Sequence, residues 1–443
     1  MRRRVEKCLT VSRASAYRTD SSDPFGARVA RSSCNAADVD TDFIDRTKAQ
    51  MAYEFARTAP PDDFPKLPDL PLGRYIDPVL WEQERSAVFG RSWIFVAHSS
   101  ELNDNGNYRT VDVVGRPVVL VRGEDRVVRA FYNACRHRGA PVVRDECGTC
   151  RLLVCQYHSW SYDLAGRLVR VPDERDFVGL QFEERSLVGV RCEVWGEWIF
   201  VNFDADAPPL REWLGALADE LEPIVGADMR VVGRITTTHR CNWKIMAEGF
   251  LEVYHAKTIH AQTVGNVLRP GGAAISLLPH GHSRMITPLS VAVMEGGRDS
   301  HRGLPVVDGL GEIYDTTNPA YSFFPNLIVP FDKVGFPMLQ FWPESADVTR
   351  LERIWLGPTL GLEPVRHPTW DRRLEAFEVV MGEDTHNLEP IQRSVEAAAH
   401  GGIPLNYQER RIWHFHATID RLIDETAIPE HLRVPDLLAD WVE

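Results

Sequence analysis

Two short segments are the most informative part of this sequence: Cys135-Arg136-His137 and Cys155-Gln156-Tyr157-His158, with 17 residues between them. Each segment offers one thiolate and one imidazole to a metal. A [2Fe–2S] cluster that is held by two Cys on one iron and two His on the other needs such a set. Neutral imidazoles then replace two anionic thiolates and make the cluster easier to reduce. The pattern therefore predicts a chain that transfers single electrons.

A zinc site competes for some of the same residues. Cys147-Gly148-Thr149-Cys150 is a Cys-x2-Cys pair, and together with Cys155 and His158 it matches a tetrahedral zinc site. That interpretation leaves Cys135 and His137 without a role, so we favour the cluster. Cys147 and Cys150 are then loop cysteines that could form a disulfide with each other.

Length and composition allow two domains, each with its own core. The chain has 443 residues, of which 44% are hydrophobic and 26% charged, as is typical of soluble globular proteins. A net charge of −13 gives no support for binding nucleic acid. No apolar run approaches the roughly 18 residues that a membrane span needs. The eight unevenly spaced cysteines fit the reducing cytoplasm better than a disulfide framework.

The N-terminal stretch differs from the rest of the chain. Residues 1–33 hold eight Lys or Arg, three Asp or Glu and six Ser, without an apolar core of a secretory signal. We interpret residues 1–40 as a disordered tail, because so few apolar side chains cannot bury a core. A transit peptide and translation from upstream of the true start remain the alternatives.

The hydrophobic pattern changes near residue 203. Before it, short β-rich runs such as 118–121 and 127–132 flank turn residues, and we expect the cluster ligands at the tips of two β-hairpins. After it, 231–239 is typical of a strand, whereas 242–258 and 369–399 have helical periodicity. This mixture predicts an α+β fold in which helices pack on a sheet.

A second possible metal site lies in the segment from Glu252 to His260. His255 and His260 are five residues apart, about 140° on an ideal helix, so they converge only if the helix ends or bulges between them. Glu252 shares a helix face with His255. Two His and one carboxylate form the facial triad of non-haem Fe(II) oxygenases, which leaves positions open for O2. Asp384 is the candidate third ligand, followed by Glu383.

Together these motifs resemble the α subunit of a Rieske-type non-haem iron oxygenase of the ring-hydroxylating family, over roughly residues 75–425. The matching segments are Asn133–Ala140, Cys155–Trp160, Asn242–Lys244 followed by Glu252-x2-His255-x4-His260, and Glu383-Asp384 with Gln392. The family usually has Pro and Gly where this chain has Gln156 and Ser159. That departure keeps every ligand but changes the loop that surrounds the cluster sulfurs.

The resemblance assigns roles to individual residues. The implied cluster ligands are Cys135, His137, Cys155 and His158, and the implied Fe(II) ligands are His255, His260 and Asp384. Glu252 is implied to link a cluster histidine of one subunit to an iron-ligating histidine of its neighbour, in a homotrimer or an α3β3 assembly. Glu at this position is more typical of members that act on quaternary-ammonium or other non-aromatic substrates, and aromatic substrates stay open.

The implied architecture is a β-sheet Rieske [2Fe–2S] domain joined to a helix-grip (START-like) catalytic domain with an antiparallel sheet. We place a lead-in at residues 41–92 that packs on the catalytic domain, the Rieske domain at 93–204 and the catalytic domain at 205–443. The implied function is that of a terminal oxygenase. It takes electrons from NAD(P)H through a reductase, with or without a ferredoxin, and uses O2 for monohydroxylation, dihydroxylation or oxidative demethylation of a small organic substrate. The alternative is a Rieske-type electron carrier without oxygenase activity.

Overall fold

The structure is a computed structural model that describes residues 41–296, 304–307, 310–358 and 369–443. The predicted N-terminal tail lies outside these residues. Within the described ranges, no helix has both the length and the apolar character that crossing a membrane requires.

The first half of the described chain forms two β-sheets. The strands in chain order are β1 (Ile94–His98), β2 (Asn107–Asp112), β3 (Pro117–Arg122), β4 (Val128–Tyr132), β5 (Cys147–Thr149), β6 (Leu153–Val154), β7 (Ser161–Tyr162), β8 (Leu168–Arg170), β9 (Gly189–Trp195) and β10 (Trp198–Asn202). A seven-stranded sheet has the order β1-β10-β9-β4-β3-β2-β5, and β6-β7-β8 form a smaller sheet. The turn predicted between the runs 118–121 and 127–132 is confirmed as a hairpin, because β3 and β4 pair antiparallel with Arg122 opposite Val128.

The second half contains one antiparallel sheet of seven strands in the order β11-β17-β16-β15-β14-β13-β12. Its strands are β11 (Met229–His239), β12 (Ala274–Leu277), β13 (Ser283–Pro288), β14 (Thr317–Phe323), β15 (Leu327–Pro330), β16 (Phe336–Ser345) and β17 (Val348–Pro358). The inner strands of this sheet are buried almost throughout, since helices cover it. The predicted α+β fold class is therefore confirmed.

Helices connect and cover the sheets. In chain order they are α1 (Thr41–Ala56), α2 (Pro78–Gln83), α3 (Phe89–Arg91), α4 (Leu210–Leu214), α5 (Ala216–Glu220), α6 (Glu222–Val225), α7 (Trp243–Glu248), α8 (Ala256–Ile259), α9 (Val291–Gly296), α10 (Ile313–Thr316), α11 (Thr369–Thr385), α12 (Leu388–Glu396) and α13 (Arg410–Ile423). The predicted continuous helix over 242–258 is wrong, because the chain leaves the helix after Glu248 and starts a new one at Ala256.

Buried polar contacts join the segment that precedes β1 to helices α7 and α13. The Arg74 guanidinium pairs with Asp420 on α13, with 2.6 Å between Nη2 and Oδ1. Glu84 accepts hydrogen bonds from Lys244 Nζ and from the indole nitrogen of Trp243, both on α7. Because these groups are nearly inaccessible to water, the segment is fixed against α7 and α13. The domain boundaries given above remain predictions.

Candidate metal centres

The two predicted cluster segments form matching loops above a small hydrophobic core. Cys135 and Cys155 are buried free thiols. The carbonyl of Cys135 accepts a hydrogen bond from Gly139 N at 2.8 Å, and that of Cys155 accepts one from Ser159 N at 2.8 Å. Gly139 and Ser159 both have positive φ, +74° and +57°. Each loop thus turns back directly behind its cysteine, and Ser159 adopts a conformation that favours glycine.

Only the second loop is a hairpin tip. Cys155 and His158 lie between β6 and β7, which pair antiparallel. Cys135 and His137 lie between β4 and β5, which pair with different strands, so the hairpin expected there is wrong. The first loop is instead fixed by Asn133, whose Oδ1 accepts from the amides of Val142 and Val143.

Aromatic stacking positions the two histidines. The His137 ring lies parallel to Trp160 with centroids 4.9 Å apart, and Tyr157 stacks on His158 at 3.8 Å. The two imidazoles are 4.6 Å apart. His137 Nδ1 is buried and has no hydrogen-bond partner. An unpaired buried nitrogen is unfavourable, and a bond to iron would satisfy it, so the donor set fits a [2Fe–2S] cluster.

The electrostatics of the loop also fit a metal. Burial and the neighbouring His158 lower the pKa of His137, so the ring is neutral at neutral pH and one of its nitrogens offers a lone pair to a metal. The hydroxyl of Tyr162 accepts from Arg136 N at 3.0 Å and lies 3.2 Å from Cys135 Sγ. A Cys135 thiolate that binds iron has no proton, so in the loaded protein the Tyr162 hydroxyl would be the donor to the sulfur. Sequence reasoning missed this contact, for which the loop motif gives no signal.

The zinc alternative finds no support in the described residues. Among them, the ligand atoms that converge for a single ion do not belong to Cys147, Cys150, Cys155 and His158. Cys150 is a free thiol, so it does not form the disulfide with Cys147 that we considered.

The converging group is His255, His260 and Asp384, whose ligand atoms all lie within 4.8 Å of one another. His260 Nε2 is 2.9 Å from Asp384 Oδ1, and His255 Nε2 is 3.5 Å from the same oxygen. The break after α7 allows this, because His255 precedes the short helix α8 and His260 ends it. This donor set fits one divalent iron with coordination positions left open.

A long-range contact accompanies the break. The side chain of Asn242 caps the start of α7 by accepting from Lys244 N at 3.0 Å. Past the end of α7, the carbonyl of Leu251 accepts from Arg411 Nη1 on α13 at 3.3 Å. A buried arginine thus takes a carbonyl that a continuous helix would have used internally.

Each imidazole of this group is oriented by a second carboxylate. His255 Nδ1 contacts Glu252 Oε1, and Glu252 Oε2 also accepts from the amides of Tyr254 and His255. His260 Nδ1 lies 2.7 Å from Glu383 Oε2. Carboxylates that hold the outer nitrogen of a histidine in this way fix its tautomer and ring orientation at metal sites.

Glu383 is therefore a neighbour of a candidate ligand rather than a ligand in this geometry. Its Oε2 also accepts from Thr263 Oγ1 at 2.6 Å, and hydrogen bonds from Thr263 and His260 lower the pKa of Glu383. Burial alone would lower the pKa of His260, but its contacts with Asp384 and Glu383 raise it above the ordinary value. The sequence indicated Glu383 only as an alternative to Asp384, since adjacent acidic residues cannot be ranked without the fold.

A cavity of about 370 Å³ lies away from these groups. It opens between α2, the β2–β3 turn and the β16–β17 hairpin, and none of the predicted site residues lines it.

Comparison with known protein families agrees with this geometry. Residues 92–187 match the model of the Rieske [2Fe-2S] domain, and residues 226–425 match that of the ring hydroxylating alpha subunit (catalytic domain). The chain belongs to the Rieske-type ring-hydroxylating oxygenase α-subunit family. The family's cofactors are a Rieske [2Fe–2S] cluster and a mononuclear iron.

Individual relatives match over part of their length. The carnitine monooxygenase oxygenase subunit of Escherichia coli (strain K12) is 37% identical over 194 residues, which are 43% of this chain and 52% of the relative. The biphenyl 2,3-dioxygenase α subunit of Rhodococcus jostii (strain RHA1) is 36% identical over 207 residues, 44% of this chain and 45% of the relative. The chain thus spans about half the length of the curated relatives that it matches.

Solved structures share the fold. A quaternary ammonium Rieske monooxygenase in complex with an inhibitor superposes with a TM-score of 0.70 at 22% identity, covering 83% of this chain and 100% of that one. Naphthalene 1,2-dioxygenase from Rhodococcus sp. bound to indole gives a TM-score of 0.67 at 22% identity, covering 87% and 99%. These similarities confirm the predicted combination of a Rieske domain with a catalytic domain.

Proposed function

We propose that the chain is the terminal oxygenase component of a Rieske-type system. It receives electrons from NAD(P)H through a reductase, with or without a ferredoxin, and uses O2 to hydroxylate or oxidatively demethylate a small organic substrate. The observation that carries this proposal is the convergence of His255, His260 and Asp384, with the outer nitrogen of each imidazole held by a carboxylate. A pure electron carrier would need no such second site.

Four residues are the proposed cluster ligands: Cys135, His137, Cys155 and His158. The cluster supplies single electrons, and the mononuclear iron supplies O2 activation. The buried cysteines exclude water from the sulfur side, and Tyr162 directs its hydroxyl proton at Cys135 Sγ. His158 is exposed on the protein surface, where a redox partner or a neighbouring subunit can approach it.

The proposed iron ligands are His255, His260 and Asp384. Glu252 holds His255 and Glu383 holds His260, so both imidazoles keep Nε2 directed at the same point. Preorganised ligands do not need to rotate when the metal binds, and this favours a defined geometry with free positions.

We propose further that Glu252 is the bridge for electrons between subunits, in a homotrimer or an α3β3 assembly. One Glu252 oxygen contacts His255 and the other accepts two backbone amides, so the side chain is fixed. The exposed apolar side chains near the cluster, among them Leu152, Val154 and Tyr157, are suited to being covered by another subunit.

The substrate class follows from the relatives only as a proposal. One curated relative acts on carnitine and another on biphenyl, so a quaternary-ammonium compound and an aromatic compound are the two candidates. Glu rather than Asp at position 252 favours the quaternary-ammonium class.

Metal analysis tests the proposal directly. The purified wild-type protein should contain three irons and two acid-labile sulfides per chain. His255→Ala, His260→Ala and Asp384→Ala should each lose one iron and all activity while the visible spectrum of the cluster persists. If Asp384→Ala keeps three irons and full turnover, Asp384 is not a ligand. If the wild-type protein contains only two irons per chain, the result favours the electron carrier over the oxygenase.

A further inference from the structure

The two carboxylates that hold the outer imidazole nitrogens are themselves fixed in different ways. Glu252 is fixed locally, because one of its oxygens accepts from the backbone amides of Tyr254 and His255. Glu383 lies on α11, 123 residues after His260 in the chain. In the part of the chain that the structure describes, no backbone amide donates to the Glu383 carboxylate. A different donor must therefore hold it in place.

That donor is the hydroxyl of Thr263. Its Oγ1 lies 2.6 Å from Glu383 Oε2, the same oxygen that lies 2.7 Å from His260 Nδ1. An ionised carboxylate can only accept, so the hydroxyl and the ring nitrogen both donate to this oxygen. The hydroxyl also lies 3.4 Å from the His260 carbonyl, but it has a single proton, and the charged acceptor at 2.6 Å gives the stronger bond. Thr263 thus does for Glu383 what the backbone amides do for Glu252.

The loop that carries Thr263 is packed closely against the end of α8. The amides of Thr263 and Gly265 both donate to the His260 carbonyl, at 3.0 and 2.9 Å. A Cβ atom at Gly265 would lie 2.6 Å from that carbonyl oxygen and 2.7 Å from the carbonyl oxygen of Ala256, so only glycine fits this approach. Thr263 is β-branched and stiff about χ1, and its hydroxyl therefore has little freedom to point elsewhere.

Without this bond, the Glu383 carboxylate would have a single partner. Its side chain is 24% exposed, whereas that of His260 is 5% exposed. Among the described residues, the ion-pair partner of Glu383 is His260, and no Lys or Arg contacts it. A partly exposed carboxylate with one hydrogen bond can rotate into water. The imidazole would then lose the acceptor that fixes its tautomer and its ring orientation.

We propose that Thr263 is a positioning residue for the candidate iron site. It acts through Glu383, which keeps the proton of His260 on Nδ1 and so directs Nε2 at the point shared with His255 and Asp384. The proposal rests on the proposed oxygenase function, because it concerns the same mononuclear site.

Binding of Fe(II) to the protein with its intact cluster tests this without turnover. Mononuclear iron is removed with a mild chelator under anaerobic conditions, and Fe(II) is then titrated in competition with a chromogenic chelator. Thr263→Val keeps the shape of the side chain but removes the hydroxyl. We expect the variant to raise the Fe(II) dissociation constant about 10-fold, as the loss of an outer partner of a metal ligand does. The visible cluster spectrum should stay unchanged.

Two variants control for a general loss of structure. Thr263→Ser restores the hydroxyl and should bind Fe(II) within about twofold of the wild type. Thr316→Val removes a hydroxyl on α10 that donates to the Glu312 carbonyl at 3.1 Å, and should leave the Fe(II) affinity unchanged.

A double-variant cycle shows whether Thr263 acts through Glu383. Glu383→Ala should weaken Fe(II) binding about 10- to 100-fold. Adding Thr263→Val to Glu383→Ala should weaken it no further, because the hydroxyl then has no carboxylate to hold. Wild-type affinity in Thr263→Val would overturn the proposal, and so would additive effects of the two changes.

The same titration separates this proposal from the proposed function. A wild-type protein that binds no Fe(II) beyond its cluster would contradict the oxygenase function and the role of Thr263 together. A wild-type protein that binds one Fe(II) no more tightly than Thr263→Val does would refute the role of Thr263 alone.

Discussion

Tyr162→Phe isolates one hydrogen bond to the predicted cluster. The Tyr162 hydroxyl accepts a hydrogen bond from the Arg136 amide and lies 3.2 Å from Cys135 Sγ, to which it donates when the sulfur is a thiolate. A donor to a cluster sulfur stabilises the reduced form more than the oxidised form, because the reduced cluster carries one more negative charge. We therefore expect Tyr162→Phe to lower the reduction potential of the cluster.

The size of the effect can be estimated from the hydrogen bond. A hydrogen bond to a charged group contributes about 1.5–3 kcal/mol. If this bond stabilises the reduced cluster by about 1.4 kcal/mol more than the oxidised cluster, its loss lowers the reduction potential by about 60 mV for one electron. Tyr162→Phe also leaves the Arg136 amide without its acceptor, which costs about 1 kcal/mol of stability.

A redox titration followed by visible absorption measures the shift. Tyr157→Phe is the matched control, because Tyr157 is exposed and stacks on His158 through its ring, which phenylalanine retains. The control should stay within about 10 mV of the wild type, since it loses no bond to sulfur. Equal potentials in Tyr162→Phe and the wild type, with an intact cluster spectrum in both, would refute the proposed role of this hydroxyl.

Two further predictions concern the histidines. His137→Cys and His158→Cys should retain two irons in the cluster but lower its potential, because a thiolate restores negative charge; an unchanged potential in the redox titration would count against these ligands. Burial lowers the pKa of His282 to about 3, and its ring is neutral because Nδ1 accepts from Phe324 N and Nε2 donates to the Trp213 carbonyl. The unfolded chain protonates this histidine below pH 6.5, so stability should fall by about 2 kcal/mol between pH 7 and pH 5 in urea titrations. His282→Gln should lose about 2 kcal/mol less over that range, and an equal loss would contradict the assignment.

The cluster loops could be predicted from the sequence because their information is local. Cys135, His137, Cys155 and His158 stand at spacings that one turn of backbone can bring to a metal, and the turns appear in the structure at Gly139 and Ser159. Tyr162 could not be assigned in this way. Its role depends on a contact between β7 and the first cluster loop, which joins positions 27 residues apart.

The second site was predictable only in part, because its geometry depends on distant contacts. The spacing of His255 and His260 required a break in the helix, but its position could not be read from helical periodicity. The break coincides with the bond from Arg411 to the Leu251 carbonyl, which joins positions 160 residues apart.

The most direct test of electron transfer between the two sites is a single turnover of Glu252→Gln with the cluster reduced in advance. The variant keeps a hydrogen-bonding group beside His255 but loses the charge that orients it. Iron and sulfide contents should match the wild type. We predict normal reduction of the cluster and little reoxidation on addition of substrate and O2. Reoxidation at the wild-type rate would show that electrons reach the iron site by another route, and the proposed bridge through Glu252 would be wrong.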